Sequence, residues 1–286
     1  MEKKPIGVVD SSISFVASYI MAQIALAIFA IIGMFVCKIN GFSATDFNTF
    51  VSKDLGLLIS VVVMNFVFVL VVLFAYKTKT IEKPKRILNF KILIYIALAV
   101  ACYFALYPIV LSFNKLFKVP VTKLEISKVG YIYSIFSRVL IPAICEELLF
   151  RGIIFKGLET KSKTFAILIS ALMFSIFHMS KEQFIYPLLM GLLLGVIMAY
   201  ENNIIYCIIV HIVNNSLALA NIGFYFNHWT YFVGAAIMFV AFVGVMLFLA
   251  IKKSSKFKLT KTELVALLAS LGIMIVFWVL INFIKL

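Results

Sequence analysis

The sequence predicts an all-α, polytopic transmembrane bundle of about 8–9 helices. Three observations carry that expectation. Of 286 residues, 64% are hydrophobic and 13% charged, with a mean hydropathy of +1.12, where a soluble domain averages about 45–50% apolar and about 25% charged. Apolar runs long enough to cross a bilayer recur along the whole chain. Lys and Arg are unevenly shared between alternate loops. This composition excludes soluble enzymes, disordered regions, coiled coils and nucleic-acid modules. The net charge of +14 is therefore read loop by loop, because basic loops also set membrane orientation.

A membrane-spanning helix needs about 20 mostly apolar residues. Nine runs answer to that description, at roughly 12–37, 54–76, 92–113, 129–155, 164–180, 183–201, 203–222, 229–251 and 263–284. The first follows Lys3 and Lys4, yet its stretch from Ile13 to Cys37 is too long for a cleaved signal core of about 7–15 residues. It is expected to stay as an anchor. The fifth and sixth runs are short, and Ser180–Glu182 between them could form a tight re-entrant turn. Gly191 and Gly195 in the sixth run make a G-x-x-x-G pattern, which lets helices approach closely. Cys37, Cys102, Cys145 and Cys207 sit in apolar runs at spacings that fit neither a zinc site nor a disulfide framework. With the N-terminus placed in the cytoplasm, that side carries sixteen Lys and Arg and the other side eight. That is a positive-inside signal. The chain reads as one integral membrane domain, 1–286, with a core at 129–222.

The polar residues inside those runs are few. Ionisable side chains at bilayer depth cost at least about 2.5–3.5 kcal/mol each on insertion scales, so they are functional suspects. Among twelve acidic residues only Glu146 and Glu147 lie deep in a run, and among basic residues only Arg138 and Arg151. His178 and His211 lie in runs, His228 at a boundary, and Asn214 and Asn215 follow His211. All but His228 fall between positions 138 and 215. Glu147 and Arg151 are i,i+4 neighbours and can pair, while Glu146 points about 100° away by helical geometry. Pro142 lacks an N–H, which frees the Arg138 carbonyl and should loosen the helix there. By helix rise, Glu146 lies ~15 Å from Lys156, His211 ~12 Å past Asn203 and His178 ~22 Å beyond Lys163. The three could meet near the midplane, on its cytoplasmic side.

A desolvated carboxylate can serve as a general base, and imidazoles can polarise water, donate to an oxyanion or ligate a metal. Glu with His to activate water, and His with Asn to hold an oxyanion, suffices to hydrolyse an amide without a Ser or Cys nucleophile. Other intramembrane classes lack their residues: there is no G-x-S-x-G, no H-E-x-x-H, and Asp10, Asp46 and Asp54 all sit at run ends. Cys145, adjacent to Glu146, points away from it on a helix.

Three motifs carry a resemblance to a known family. Glu146-Glu147-Leu148-Leu149-Phe150-Arg151 is similar to the E-E-x-x-x-R motif of the CAAX-processing and bacteriocin-processing (CPBP, or Abi) intramembrane proteases, related to the type II CAAX prenyl endopeptidase. Phe174 to His178 resembles their F-x-x-x-H, and His211 to Asn215 their H-x-x-x-N. The resemblance covers roughly 129–222. It implies that Glu146 with His178 activates water, that His211 and Asn215 bind the oxyanion, that Glu147 and Arg151 shape the site, and that Phe174 packs beside it. The fold it implies has a polar catalytic cavity inside the membrane. Arg138 and Asn214 lie outside the motifs; charge balance or snorkelling is the expectation for Arg138.

Metal dependence stays open: Glu146, His178 and His211 could supply a 2-His-1-carboxylate set for a divalent ion such as zinc. The expected partners are a peptide or lipid-anchored membrane-protein substrate, approaching from the cytoplasmic side, and membrane lipids, with no nucleic acid. Eukaryotic relatives trim prenylated CAAX proteins, but nothing in this chain identifies such a substrate, and its composition resembles bacterial relatives of the plasma membrane. Two other readings compete. One is a non-catalytic scaffold or immunity protein that regulates another membrane protein. The other is a proton relay or transporter built around Glu146, His178 and His211; transporters of this size often have interrupted helices in both halves, whereas the polar residues here occupy one region only.

Overall fold

A computed structural model describes residues 3–82, 85, 89–116, 128–220 and 258–283. Helices α1 (Val8–Ile39), α2 (Ala44–Ser52), α3 (Asp54–Thr78) and α4 (Lys91–Leu116) make up the first part. The fourth run becomes one helical rod of α5 (Lys128–Ser134), α6 (Ile141–Leu149) and α7 (Phe155–Glu159), joined by π-helical turns at Ile135–Leu140 and Phe150–Ile154. Then come α8 (Lys163–Phe177), α9 (Ile185–Glu201), α10 (Ile204–Leu219) and α11 (Lys261–Phe283). The described residues thus form the expected all-α bundle. The eighth run, 229–251, and His228 lie outside them.

Among the described residues three helices are long and apolar enough to cross a membrane: Val8–Ile39, Leu55–Thr78 and Lys261–Phe283. Their apolar residues run all round, the mark of a helix with hydrocarbon or protein on every side. On α1 the buried face is Val8, Ser11, Phe15, Ser18, Tyr19 and Ala22, while Ile24, Ile28, Ile31 and Phe35 are exposed. Exposed side chains of that kind suit a lipid solvent. Helices α8 and α9 reach only ~22 and ~25 Å by their length, short of the ~30 Å hydrocarbon core. They form a hairpin through the turn at Ser180–Glu182.

The hairpin is close because of its glycines. A Cβ at Gly191 would stand 2.9 Å from Ala171 Cα, and one at Gly195 3.3 Å from Ile167 Cα. The G-x-x-x-G pattern is a packing device here. Gly157 has the same role at another contact, where a Cβ would stand 2.5 Å from the Gly7 carbonyl oxygen at the start of α1.

One end of the bundle is basic and tied. Strands β1 (Lys4–Pro5) and β2 (Lys79–Thr80) pair in parallel. Around them are ion pairs Lys79–Asp10 at 2.8 Å, Lys156–Glu159 at 2.9 Å, Lys161–Glu263 at 2.8 Å and Lys91–Glu201 at 3.0 Å. The strands were not anticipated; two residues carry no readable periodicity. Helix α2 was also missed, although Ser43-Ala-Thr-Asp46 is a capping-box pattern. The Ser43 N–H donates to Asp46 Oδ2 at 2.7 Å and the Asp46 N–H to Ser43 Oγ at 3.3 Å.

Candidate active site

The rod carrying Glu146 is irregular on both sides of it. Pro142 has no N–H for the Arg138 carbonyl, and the preceding turn is π-helical, with the Ile141 N–H reaching Phe136 O. The freed Arg138 carbonyl is met from another helix: Asn215 Nδ2 donates to it at 3.2 Å. The proline thus creates an acceptor that fixes Asn215 of α10 against the Glu146 helix. Irregular backbone at membrane depth is tolerated where it is buried in protein or lines a cavity.

Glu147 faces the interior. It and Arg151 are fully buried, with Arg151 Nη1 donating to Glu147 Oε1 at 2.9 Å. Arg151 Nη2 donates to the Gly191 carbonyl at 3.1 Å, and its guanidinium lies 4.9 Å from the centroid of the Phe174 ring. The same Glu147 Oε1 accepts from His211 Nδ1 at 2.9 Å. Helices α6, α9 and α10 are therefore tied through one carboxylate. Beneath it Phe150 packs edge-on to Phe174 and Phe177, with centroids 5.0 and 5.3 Å apart.

Glu146 faces the other way, into a cavity of about 820 Å³ whose walls include His178, His211, Asn215, Arg138 and Tyr186. With Nδ1 held by Glu147, His211 presents Nε2, which lies 3.9 Å from Glu146 Oε2. His178 Nδ1 lies 2.8 Å from the Phe174 carbonyl. A carbonyl can only accept, so Nδ1 carries the hydrogen and the neutral ring presents the Nε2 lone pair. The Phe174 ring stands edge-on to both imidazoles, 4.9 Å from His178 and 5.8 Å from His211. Phe174 fixes His178 with its backbone and packs both rings with its side chain.

Helix α8 ends at His178. Met179 follows with φ of 50°, a left-handed conformation uncommon outside glycine. It is held from α11: Asn282 Nδ2 donates to the Met179 carbonyl at 3.1 Å, and Asn282 Oδ1 accepts from the Lys181 N–H at 2.8 Å. Asn282 carries no local signal, being an ordinary asparagine near the end of an apolar run. Asn214 accepts from the Tyr186 hydroxyl and is buried, a structural tie between α9 and α10. The Arg138 guanidinium lines the cavity and has no hydrogen-bond or ion-pair partner among the described residues.

Glu146, His178 and His211 share a cavity, yet among the described residues no group of three or more His, Cys, Asp or Glu side chains is disposed to hold a metal ion.

Residues 128–217 match the family model described as Rce1-like, type II CAAX prenyl endopeptidase Rce1-like. The match begins at α5 and ends two residues past Asn215, so it contains all three motifs. At the level of that family it supports an intramembrane CAAX-type protease, and the apolar helices agree with an integral membrane protein. No curated protein and no solved structure matches the chain.

Proposed function

We propose that this protein is an intramembrane endopeptidase that hydrolyses a peptide bond with a water activated by Glu146 and His178. The observation that carries this is the single cavity lined by Glu146, His178, His211 and Asn215, in which the His178 tautomer leaves an acceptor nitrogen. Water held between Glu146 and His178 Nε2 attacks the scissile carbonyl carbon as Glu146 takes its proton. The carbonyl oxygen becomes an oxyanion. Asn215 spends one amide hydrogen on Arg138 O and has a second to donate. His211 donates when Nε2 is also protonated; Arg151 and His211 then balance the charges of Glu147 and Glu146. Collapse breaks the C–N bond, and the proton on Glu146 passes to the departing amine.

The substrate class is a peptide or membrane-anchored protein segment, because the site lies within helices of a membrane bundle. The test is incubation of purified protein in lipid nanodiscs with leader-like peptides and prenylated tails, read by mass spectrometry against Glu146→Gln. Cleavage by wild type alone is expected, and equal products from both would refute the proposal. Removing one oxyanion donor costs about 10²–10³ in kcat elsewhere, so Asn215→Ala should slow turnover by that order while binding changes little.

A further inference from the structure

The start of α1 and the end of α3 meet at the β1–β2 pair, so the two helices run antiparallel. Between them lies a groove of about 580 Å³ that shares no lining residue with the catalytic cavity. Ser14 and Ala17 of α1 with Val71 and Ala75 of α3 form its floor. The exposed side chains of Ile13, Met21, Leu70 and Phe74 form its rims. The seam stays open because Ser14, Ala17 and Ala75 are too small to fill it. Asp10, Thr78 and Lys79 stand at one end. From Asp10 to Met21 the groove runs ~16 Å by helix rise, about half of the ~30 Å hydrocarbon core. It is as deep as one leaflet.

Lipid tails are as apolar as the helices they touch, so the groove alone selects no particular lipid. The charge at its mouth does. Asp10 is satisfied there, by Lys79 Nζ at 2.8 Å and by the Gly7 N–H at 3.0 Å. Glu82, just past β2, is taken by Lys156 at 3.4 Å and by Asn202 Nδ2 at 3.0 Å. Lys3 Nζ donates to the Tyr76 carbonyl at 3.0 Å. Lys4, paired with Lys79 across the two strands, and Lys77, at i+3 from Phe74, remain. Both are exposed and have no hydrogen-bond or ion-pair partner among the described residues. The mouth is therefore positive, at the depth where a lipid changes from chain to headgroup.

We propose that the α1–α3 groove is a binding site for one anionic phospholipid. An acyl chain lies along the floor from Ala75 to Met21, and the phosphate sits against Lys77, Lys4 and the free N–H donors of Lys79. A zwitterionic lipid fits the same groove but brings its own cation to the lysines. Its choline would meet Lys4 and Lys77 with like charge, so the site discriminates by headgroup and not by chain. The occupant is a resident lipid and not a substrate, because no residue of the groove reaches Glu146 or its cavity. Neither the groove nor its ligand depends on the proteolytic reading.

The test is native mass spectrometry of the full chain in detergent micelles, given equal phosphatidylglycerol and phosphatidylcholine with the same acyl chains. Wild type is expected to keep one phosphatidylglycerol tightly and to prefer it over phosphatidylcholine. Lys4→Gln with Lys77→Gln, both on the surface, should weaken that binding about 30-fold. Ala17→Trp fills the floor and should release the lipid with every lysine in place; Ser14→Leu serves if that variant fails to accumulate. Equal retention of both lipids by wild type would reveal an unselective lipid shell and overturn the proposal. So would a preference that survives either the lysine change or the filled floor, or oleate held in place of phosphatidylglycerol. Glu146→Gln should keep the tight lipid, so failure of proteolysis and failure of this site are separate results.

Discussion

Glu146 and Glu147 are neighbours in the chain and opposites in the fold. Glu147 is fully buried and shares one oxygen between Arg151 and His211. Glu146 is part-exposed to a cavity, with His211 Nε2 3.9 Å from its Oε2. The first region is a dry knot that ties three helices; the second is an open chamber whose polar groups are left available. The knot is what makes the chamber usable. By taking His211 Nδ1, Glu147 fixes the ring so that Nε2 faces Glu146, and Arg151 reaches on to Gly191 to hold the α8–α9 hairpin that ends in His178. Burying ions is a poor route to stability, so the expense is better explained by position than by strength.

If the two carboxylates differ in this way, exchanging their insults separates them. Glu146→Gln should lower the cleavage rate by about 10²–10⁴, the range of a general base, with no shift in thermal unfolding in nanodiscs. A large fall in unfolding temperature would place Glu146 in the knot. Arg151→Met leaves the buried Glu147 charge with His211 Nδ1 alone and no arginine, and should cost about 3–5 kcal/mol. Loss of folded protein by size-exclusion chromatography measures it, and Glu147→Gln with Arg151→Met together should recover much of the loss. No recovery would mean that the pair is needed for more than mutual neutralisation.

Gly191→Ala tests the knot from its far side. Its Cβ would stand 2.9 Å from Ala171 Cα, so α9 must move, at about 1–3 kcal/mol for overpacking, visible as a lower unfolding temperature with reduced activity. The smallest effect belongs to Asn282→Ala. It removes two hydrogen bonds to the turn after His178, each worth about 0.5–1.5 kcal/mol. Because Asn282 acts through His178, kcat should fall while KM holds, and Asn282→Asp should restore only the bond from the Lys181 N–H. An unchanged kcat in Asn282→Ala would show that the left-handed turn at Met179 holds itself.

Much of the chamber was legible from local spacing. The i,i+4 relation of Glu147 and Arg151 needed only a helix, and the structure places that pair at 2.9 Å. The freed Arg138 carbonyl followed from Pro142, though not that Asn215, 77 positions away, would meet it. The same boundary separates His211, whose place in the membrane was readable, from its bond to Glu147 across 64 residues. Asn282 had no local signal at all, since its partners Met179 and Lys181 lie about a hundred residues upstream.

By itself the sequence determined the solvent, the helical runs, the concentration of expensive polar groups in one third of the chain and the separation of two adjacent carboxylates. Hydropathy and the 3.6-residue period are properties of a segment, so a segment suffices to read them. Only the tertiary structure decided which imidazole nitrogen faces the cavity and which carboxylate is sealed. Those depend on the rotation and offset of one helix against another, which close packing sets through Gly157, Gly191 and the buried phenylalanines together, and which no single segment contains.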